Sequence, residues 1–334
     1  MKVIIEPNDV LLFRELRYFE AGTDHVARSI LPLPQTVAGA IRSKILAEQK
    51  FSQEAKDYVG YGKEESKNLV IDGVFLWDRE ELFATPMDVV EFDDRKCFMK
   101  PKRIDDFGVE FFYPPAKPRE SFVKFDDIVR YLEGNLNLEN VKIVNVLKER
   151  RVGISLRDTK TTEEGMLYTV EFLRIPALSV WTNDLKFLPK RGLLKLGGEG
   201  RFANYRIEDG NPFEIFEKRW GRIKGEISKK FKLYVATPLL IKNLGKYTWN
   251  IKNELESAGI KVKRIIPLVG KPVKVSGWDL AKNNHKGHPK GVRYAVPAGS
   301  VYFVEVEELN LNKPYLKLGE LTKLGYGLCF VGVW

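Results

Sequence analysis

The sequence contains few of the residues that build disulfide frameworks or metal sites. Its 334 residues include two cysteines and three histidines, and Cys97 and Cys329 lie far apart in the chain. Two cysteines do not make a disulfide framework, and structural zinc needs about four convergent ligands. His285 and His288 belong to a polar, basic stretch that is typical of an exposed loop. We therefore expect a cytoplasmic protein that holds no metal.

The sequence has no long apolar runs, and we expect no leader sequence. The uninterrupted apolar run at residues 10–13 is far too short to span a bilayer. The first residues reach charge and Pro7 too early for a signal peptide. We expect no association with a membrane.

Motifs for catalysis and for cofactor binding are also absent. The sequence has neither G-x-S-x-G nor G-K-[ST]. Gly198, Gly200 and Ala203 match the spacing G-x-G-x-x-A, but a dinucleotide site needs these glycines to open a helix. Residues 202–206 have the character of a strand, so we expect no cofactor. Paired carboxylates such as Asp93 and Asp94 are expected to be solvated charges.

The positive charge is concentrated in one block. The chain carries a formal net charge of +10, and residues 215–275 hold 15 Lys and Arg against 4 Glu and no Asp. The rest of the chain is therefore close to neutral. Such a block indicates a polyanion or an acidic partner surface, and the sequence does not decide between them.

Two glycine phrases repeat along the chain. Residues 195–202 read KLGGEGRF and residues 323–330 read KLGYGLCF, so Lys, Leu, Gly and Phe recur at the same spacing. The repeat predicts two similar units, each of which finishes with a glycine turn that leads into a short strand. Gly325, Tyr326 and Gly327 resemble part of an RNP1 signature, but RNP1 lies on a central strand and this phrase supplies the last one.

The order of predicted elements favours an α+β fold with two ferredoxin-like, βαββαβ domains. The first would span residues 1–214, with a long insertion around 72–150 whose part at 72–120 looks irregular. In this domain we expect a helix that starts at Pro34, two strands at 152–157 and 167–175, and a helix before the strand at 202–207. Gly39 inside the first helix indicates a close backbone approach. The second domain would span residues 215–334.

Several short motifs carry a resemblance to a known family. They are Phe13-Arg14, Arg17, Phe19, Ala21-Gly22, Leu33-Pro34, Thr36, Gly39-Ala40-Ile41-Arg42 and Leu196-Gly197-Gly198-Glu199-Gly200-Arg201. With these motifs the sequence resembles the third subunits of the Cmr complex, the type III-B CRISPR RNA-silencing assembly. The members of that family belong to the RAMP superfamily, in which paired ferredoxin-like domains carry glycine-rich loops.

The resemblance implies a subunit that is not an enzyme and that has no cofactor. Such a protein would pair with the large polymerase-like subunit, contact the backbone subunit and help to anchor the 5′ tag of the guide RNA. The residues expected to bind RNA are Arg14, Arg17, His25, Arg42, Lys160, Gly197, Gly198 and Arg201. The glycine-rich loops add Gly200, Lys323, Gly325 and Gly327. Tyr18 or Phe19 would stack on a base of the tag.

Two other functions stay open at this point. The chain could be a metal-independent RAMP endoribonuclease that processes guide RNA with His25 as the general base. It could also be a protein adaptor that makes no contact with RNA. Each arginine has the alternative of a structural salt bridge, and each aromatic residue that of burial in the core.

Overall fold

The computed structural model describes residues 1–15, 26–104, 108–156, 159, 161–242, 249–279, 282 and 287–334. The fold is a mixture of α and β structure with mostly antiparallel sheets and few helices. The strands, in chain order, are β1 Lys2–Pro7, β2 Val26–Ala27, β3 Ile71–Asp78, β4 Glu80–Ala84, β5 Val89–Phe92, β6 Arg95–Phe98, β7 Lys100–Ile104, β8 Val109–Tyr113, β9 Phe122–Lys124, β10 Leu147–Leu156, β11 Thr162–Arg174, β12 Ala177–Thr182, β13 Arg191–Lys195, β14 Phe202–Glu208, β15 Lys230–Val235, β16 Leu239–Leu240, β17 Val262–Leu268, β18 Val273–Val275, β19 Trp278–Asp279, β20 His288–Pro289, β21 Arg293–Val296, β22 Val301–Val306, β23 Tyr315–Lys317 and β24 Leu328–Gly332.

The helices are short apart from the first and the fourth. In the described residues they are α1 Pro34–Glu48, α2 Gln53–Val59, α3 Phe125–Leu132, α4 Glu214–Glu226 and α5 Lys252–Ser257, with a 3-10 turn at Leu138–Asn140. None of these helices is long and apolar enough to cross a membrane.

Helix α1 forms where the sequence predicts it. Pro34 occupies its first turn, where a missing N–H removes no intrahelical hydrogen bond. Val37, Ile41 and Ile45 repeat at helical spacing and are fully buried against the first sheet. The prediction for Gly39 is wrong, because a Cβ placed there would have no atom within 4 Å.

Two sheets share one topology. The first has the order β13-β14-β1-β12-β3-β4-β9 and the second has the order β17-β22-β15-β24-β23. Within each half, the four main strands follow the order fourth, first, third, second along the chain, and all neighbours are antiparallel. Each sheet also carries a short extra strand, β13 or β23, beside its last main strand. The two sheets therefore have the same order of main strands.

The strands predicted for the first sheet are partly wrong. The irregular insertion expected at 72–120 begins with β3, a strand inside the sheet, and the third main strand is β12. Residues 147–174 do form two paired strands, β10 and β11, but these belong to a separate sheet with β2. No helix lies between β12 and β14, where one was expected, because β13 occupies that part of the chain.

The two halves pack into shared cores. One apolar cluster combines Phe83 and Trp181 of the first sheet with Phe216 of α4 and Phe330 of the second sheet. The rings of Phe216 and Phe330 are stacked with centroids 4.1 Å apart. A second cluster combines α1 with residues of both glycine phrases, among them Leu196 and Leu324. The repeated phrases therefore meet in one core.

Candidate nucleic-acid interface

The first glycine phrase forms a tight loop between β13 and β14. The loop closes on the segment that follows β1, since the backbone N–H of Gly198 donates to the carbonyl of Leu12 at 2.8 Å. Gly197 has a φ of +85°, and a Cβ on it would lie 2.9 Å from the same carbonyl oxygen. Only glycine fits that position, because both the conformation and the space exclude a side chain.

A groove with a volume of about 270 Å³ runs beside this loop. The groove is lined by Leu12, Phe13, Arg14, Ile30, Leu31, Leu33, Thr36, Gly197, Gly198, Lys274 and Ser276. Among the described residues, its charged lining residues are one arginine and one lysine, and no described carboxylate lines it. The groove therefore has the charge that an RNA backbone requires.

The first turn of α1 forms one wall of the groove. Leu33, at the N-cap, and Thr36 both line it. That turn contains no acidic residue and no side-chain cap, so the partial positive charge of the helix N-terminus is not neutralised locally. This dipole adds to the charges of Arg14 and Lys274.

Another part of the lining comes from the second half of the chain. Lys274 lies on β18 and Ser276 follows that strand. Gly277 leaves space beside Gln35 of α1, since a Cβ there would lie 3.2 Å from the Gln35 side-chain nitrogen. The groove is therefore built jointly by both halves of the protein.

Arg201 ends the loop and is held by protein groups. Its Nη1 lies 2.9 Å from Oδ2 of Asp9, and its guanidinium lies 5.1 Å from the ring centroid of Phe172. Arg151 lies 5.2 Å from the same ring and also bonds to Asp9. The Nε of Arg201 is buried without a hydrogen-bond partner among the described residues. Two guanidinium groups therefore lie against one aromatic ring beside the loop.

Two carboxylates balance this basic cluster. The backbone N–H of Val10, followed by the charge and hydrogen bonds of Arg151, holds the pKa of Asp9 below its ordinary value. Hydrogen bonds from Arg174 and then Arg151 lower the pKa of Glu149 in the same way. Both carboxylates are thus ionised at neutral pH, and they occupy guanidinium groups that an RNA phosphate would otherwise contact.

Arg42 does not line the groove. It lies further along α1, where its Nη1 donates to the carbonyl of Glu64 at 3.1 Å. Burial lowers the pKa of Arg42 from its ordinary value, while Glu65 opposes the shift. Its Nε and Nη2 are buried and have no hydrogen-bond partner in the described part of the chain.

The second glycine phrase is buried and supports the first half. Gly325 and Gly327 have φ values of +94° and +69°, and Tyr326 is completely buried. A Cβ on Gly325 would lie 3.1 Å from Ile71 and 3.3 Å from Pro34. The backbone N–H of Lys323 donates to Glu65 at 2.8 Å. This phrase therefore packs against the start of α1 and of β3.

The structure brings together only part of the predicted site. Arg14, Gly197 and Gly198 line the groove, and Arg201 and Gly200 belong to the adjoining loop. Arg42 and the second phrase lie elsewhere. The predictions for Arg17, Tyr18, Phe19, His25 and Lys160 fall outside the described residues.

Sequence reasoning missed the contribution of the second half to the groove. Lys274 lies inside the basic block at 215–275, but no sequence motif around it indicated a binding role. No sequence pattern pointed to Ser276. A larger pocket of about 560 Å³ lies beside α2. It is lined by three carboxylates, those of Glu54, Asp57 and Asp184, and by two lysines, Lys67 and Lys186. Acidic groups outnumber basic ones there, so we favour the groove.

Comparisons with known proteins identify the family of the chain. A family model described as CRISPR-associated protein (Cas_Cmr3) matches residues 3–334. A cryo-EM structure of the type III-B Cmr-beta bound to cognate target RNA contains a similar chain, with a TM-score of 0.52 and 18% identity over 91% of this chain and 86% of that one. The same values hold for a structure that also contains AMPPnP. A RAMP protein that binds different RNA substrates matches with a TM-score of 0.31 and 10% identity over 99% of each chain. No curated protein matches.

Proposed function

The chain belongs to the Cas_Cmr3 family of CRISPR-associated proteins, a family of RAMP-type subunits of the Cmr complex, and from this premise we propose that it anchors the 5′ tag of the guide RNA in the groove. The observation that carries the proposal is the joint lining of the groove by the first glycine loop, Arg14, the start of α1 and Lys274. This arrangement offers two cations, a helix N-terminus and two loop glycines to one stretch of polyanion.

The glycine loop suits close contact with an RNA backbone. Gly197 and Gly198 line the groove without side chains, so an RNA strand can lie close to the main chain of the loop there. Arg14 and Lys274 flank the loop and neutralise phosphates, which fixes the register of the RNA but does not read its sequence.

Each half of the chain is a ferredoxin-like unit in this proposal. The shared strand order of the two sheets supports it, as does the helix that follows the first main strand in each half: α1 after β1 and α5 after β15. The first unit comprises residues 1–214 and the second 215–334. The departures are the missing second helix in both units, since only strands lie between β12 and β14 and between β22 and β24, and the additional hairpins at residues 89–113.

The protein acts without catalysis of its own, in the cytoplasm, as a partner of the large polymerase-like subunit and the backbone subunit. Family membership supports a place in the complex. In the described residues no group of three or more His, Cys, Asp or Glu side chains is arranged to hold a metal ion. Chemistry on the RNA is assigned to the other subunits.

The proposal is tested by photocrosslinking in the reconstituted complex. A guide RNA with 4-thiouridine in its 5′ tag is irradiated, and the crosslinked peptides are mapped. We expect crosslinks to the segments at 12–14, 197–198 and 274–276. Tag crosslinks that map only to other subunits would contradict the proposal.

The endoribonuclease alternative has a separate test. The purified protein is incubated with repeat RNA, alone and as the variant His25→Ala. We expect no cleavage by either protein. Cleavage that disappears in the variant would replace the anchoring function with an enzymatic one.

A further inference from the structure

The outer surface of the hairpin β13–β14 is an open sheet face next to the glycine loop. Residues opposite each other in an antiparallel pair share one face. The register therefore places on this face the pairs Arg191 with Arg206, Leu193 with Asn204 and Lys195 with Phe202. The other face holds buried Leu194, Ala203 and Tyr205 and packs on the core.

This open face displays apolar side chains to solvent. Phe202 is 50% exposed and Leu193 is 48% exposed, although both lie on regular strands. Asn204 is exposed between them, and its amide nitrogen donates to the side-chain oxygen of Asn8 at 2.9 Å. A half-exposed phenylalanine on a flat sheet is a surface on which a nucleobase can stack.

Two of the three basic residues on this face have no ion-pair partner among the described residues. Arg206 forms ion pairs with both Glu6 and Glu208, so its charge is balanced. Arg191 and Lys195 form no ion pair with any residue that the structure describes. Lys195 lies directly opposite Phe202, so a cation stands beside the exposed ring.

We propose that the outer face of β13–β14 binds single-stranded RNA, with one base stacked on Phe202 and the adjacent phosphates at Lys195 and Arg191. This inference rests on the proposed function, because it extends the path of the same RNA beyond the groove. Lysine is depleted in the centre of protein–protein interfaces, whereas an aromatic ring flanked by cations is the usual composition of a platform for single-stranded RNA.

The glycine loop connects the groove with this face. Lys195 immediately precedes the loop and Phe202 immediately follows it, while Gly197 and Gly198 line the groove. At Gly200, between them, a Cβ would have no atom within 4 Å. An RNA strand that leaves the groove therefore crosses an open glycine and reaches the ring of Phe202.

The test compares two exposed phenylalanines in the full chain. Binding of labelled single-stranded oligouridine is measured for wild type, Phe202→Ala, Phe202→Trp and the control Phe111→Ala, whose ring is 42% exposed on β8. We expect Phe202→Ala to weaken binding about tenfold, as loss of one stacked base does. Phe202→Trp and Phe111→Ala should keep the wild-type affinity.

The contacts of Lys195 and Arg191 with phosphates are tested by the salt dependence of binding. For single strands, the slope of log K against log salt changes by about 0.7 for each phosphate contact that is lost. We expect the double variant Arg191→Gln/Lys195→Gln to reduce the slope by about twice that amount. An unchanged slope would overturn the assignment of these two cations.

Other outcomes separate this inference from the proposed function. If Phe202→Ala binds like wild type while Lys274→Gln binds less tightly, the face is not an RNA platform but the groove stands. If Phe202→Ala retains RNA binding and instead prevents co-purification with the other subunits, the face is a protein contact and the inference is wrong. If both variants bind like wild type, the groove fails as well.

Discussion

Arg201 and Asp9 are 192 positions apart in the sequence, and Nη1 of the arginine lies 2.9 Å from Oδ2 of the aspartate. Arg151 bonds to the same carboxylate oxygen. The aspartate therefore stands where an RNA phosphate would make its strongest contacts, since both groups are anions that accept hydrogen bonds from guanidinium. Binding of RNA beside the loop means that the phosphate must compete with Asp9.

Neutralising Asp9 should strengthen RNA binding. In Asp9→Asn, the positive charges of Arg151 and Arg201 are no longer balanced by this carboxylate, so we expect tighter binding of tag RNA and a steeper salt dependence. Titrations of labelled RNA at several salt concentrations measure both. Asp57→Asn on α2 changes the net charge equally at a distant site and should have little effect. Weaker or unchanged binding by a folded Asp9→Asn protein would count against the competition.

Gly197→Ala should damage the loop more than Gly200→Ala. Both glycines have positive φ, and a left-handed conformation costs an L-residue about 1–2 kcal/mol. Only Gly197 also faces a carbonyl, that of Leu12, at 2.9 Å from its Cβ position. Glu199 adopts a φ of 56° in the same loop, so the conformation alone is tolerated. We expect the free energy of unfolding to fall by about 2–4 kcal/mol for Gly197→Ala, adding the cost of overpacking, and by about half as much for Gly200→Ala.

Chemical denaturation of the two glycine variants measures this difference. Equal losses would show that the contact with Leu12 does not constrain the loop. RNA crosslinking in the reconstituted complex provides a second measurement, and Gly197→Ala should reduce it more strongly.

Lys274 should contribute to RNA binding although it lies in the second half of the chain. We expect Lys274→Gln to weaken tag binding and to lower the salt slope by about 0.7, the value for one phosphate contact on a single strand. Lys271→Gln removes an exposed charge three residues earlier and is the matched control. Equal effects of the two variants would indicate a diffuse charge effect and would remove Lys274 from the groove.

A buried acid near the contact between the two halves should make stability depend on pH. Asp88 is fully buried, and burial raises its pKa although Lys232 at 3.3 Å and the hydroxyl of Tyr131 at 2.8 Å oppose the shift. With a raised pKa in the folded state, the folded protein binds more protons than the unfolded chain between about pH 4 and that pKa. The free energy of unfolding therefore falls as the pH rises through this window.

Asp88→Asn removes that titration. Relative to wild type, we expect the variant to become more stable as the pH rises from about 4. Denaturant unfolding across the acidic range measures the difference in the free energy of unfolding between variant and wild type at each pH. A cost of the substitution that is the same at every pH does not change the slope of this difference against pH. A difference that is independent of pH would mean that Asp88 has the same pKa in both states.

The sequence predicted the parts of the fold that depend on local pattern. The apolar spacing of Val37, Ile41 and Ile45 and the position of Pro34 define α1, and two sheets with the same strand order are found where the repeated phrases predict two similar units. Strand β3 was missed because Gly73 and two aspartates resemble a turn. In the structure a Cβ at Gly73 would lie 2.7 Å from the ring of Phe75, so the glycine makes room for an aromatic side chain inside the strand.

The sequence predicted the groove residues that come from the first half of the chain but not those from the second half. The first glycine loop and Arg14 come from continuous motifs, whereas Lys274 and Ser276 reach the groove through the packing of the two halves. Arg42 is a predicted site residue that lies outside the groove. It lies two turns beyond Gln35 on α1 and carries the same charge as Arg14, but its guanidinium points to the carbonyl of Glu64. A short sequence motif does not show which way the side chain of a helical residue points, because that depends on tertiary contacts.

The pairing of β1 also has a consequence for the synthesis of the protein on the ribosome. Lys2 pairs with Trp181 on one side and with Glu208 on the other. At a synthesis rate of about 5–20 residues per second, roughly 10–40 s pass before these partners exist. During that interval the apolar side chains of Val3, Ile4 and Ile5 have no sheet to cover them. Production in a foreign host should therefore benefit from holdase chaperones and slower growth, which protect the nascent strand until its partner strands have been synthesised.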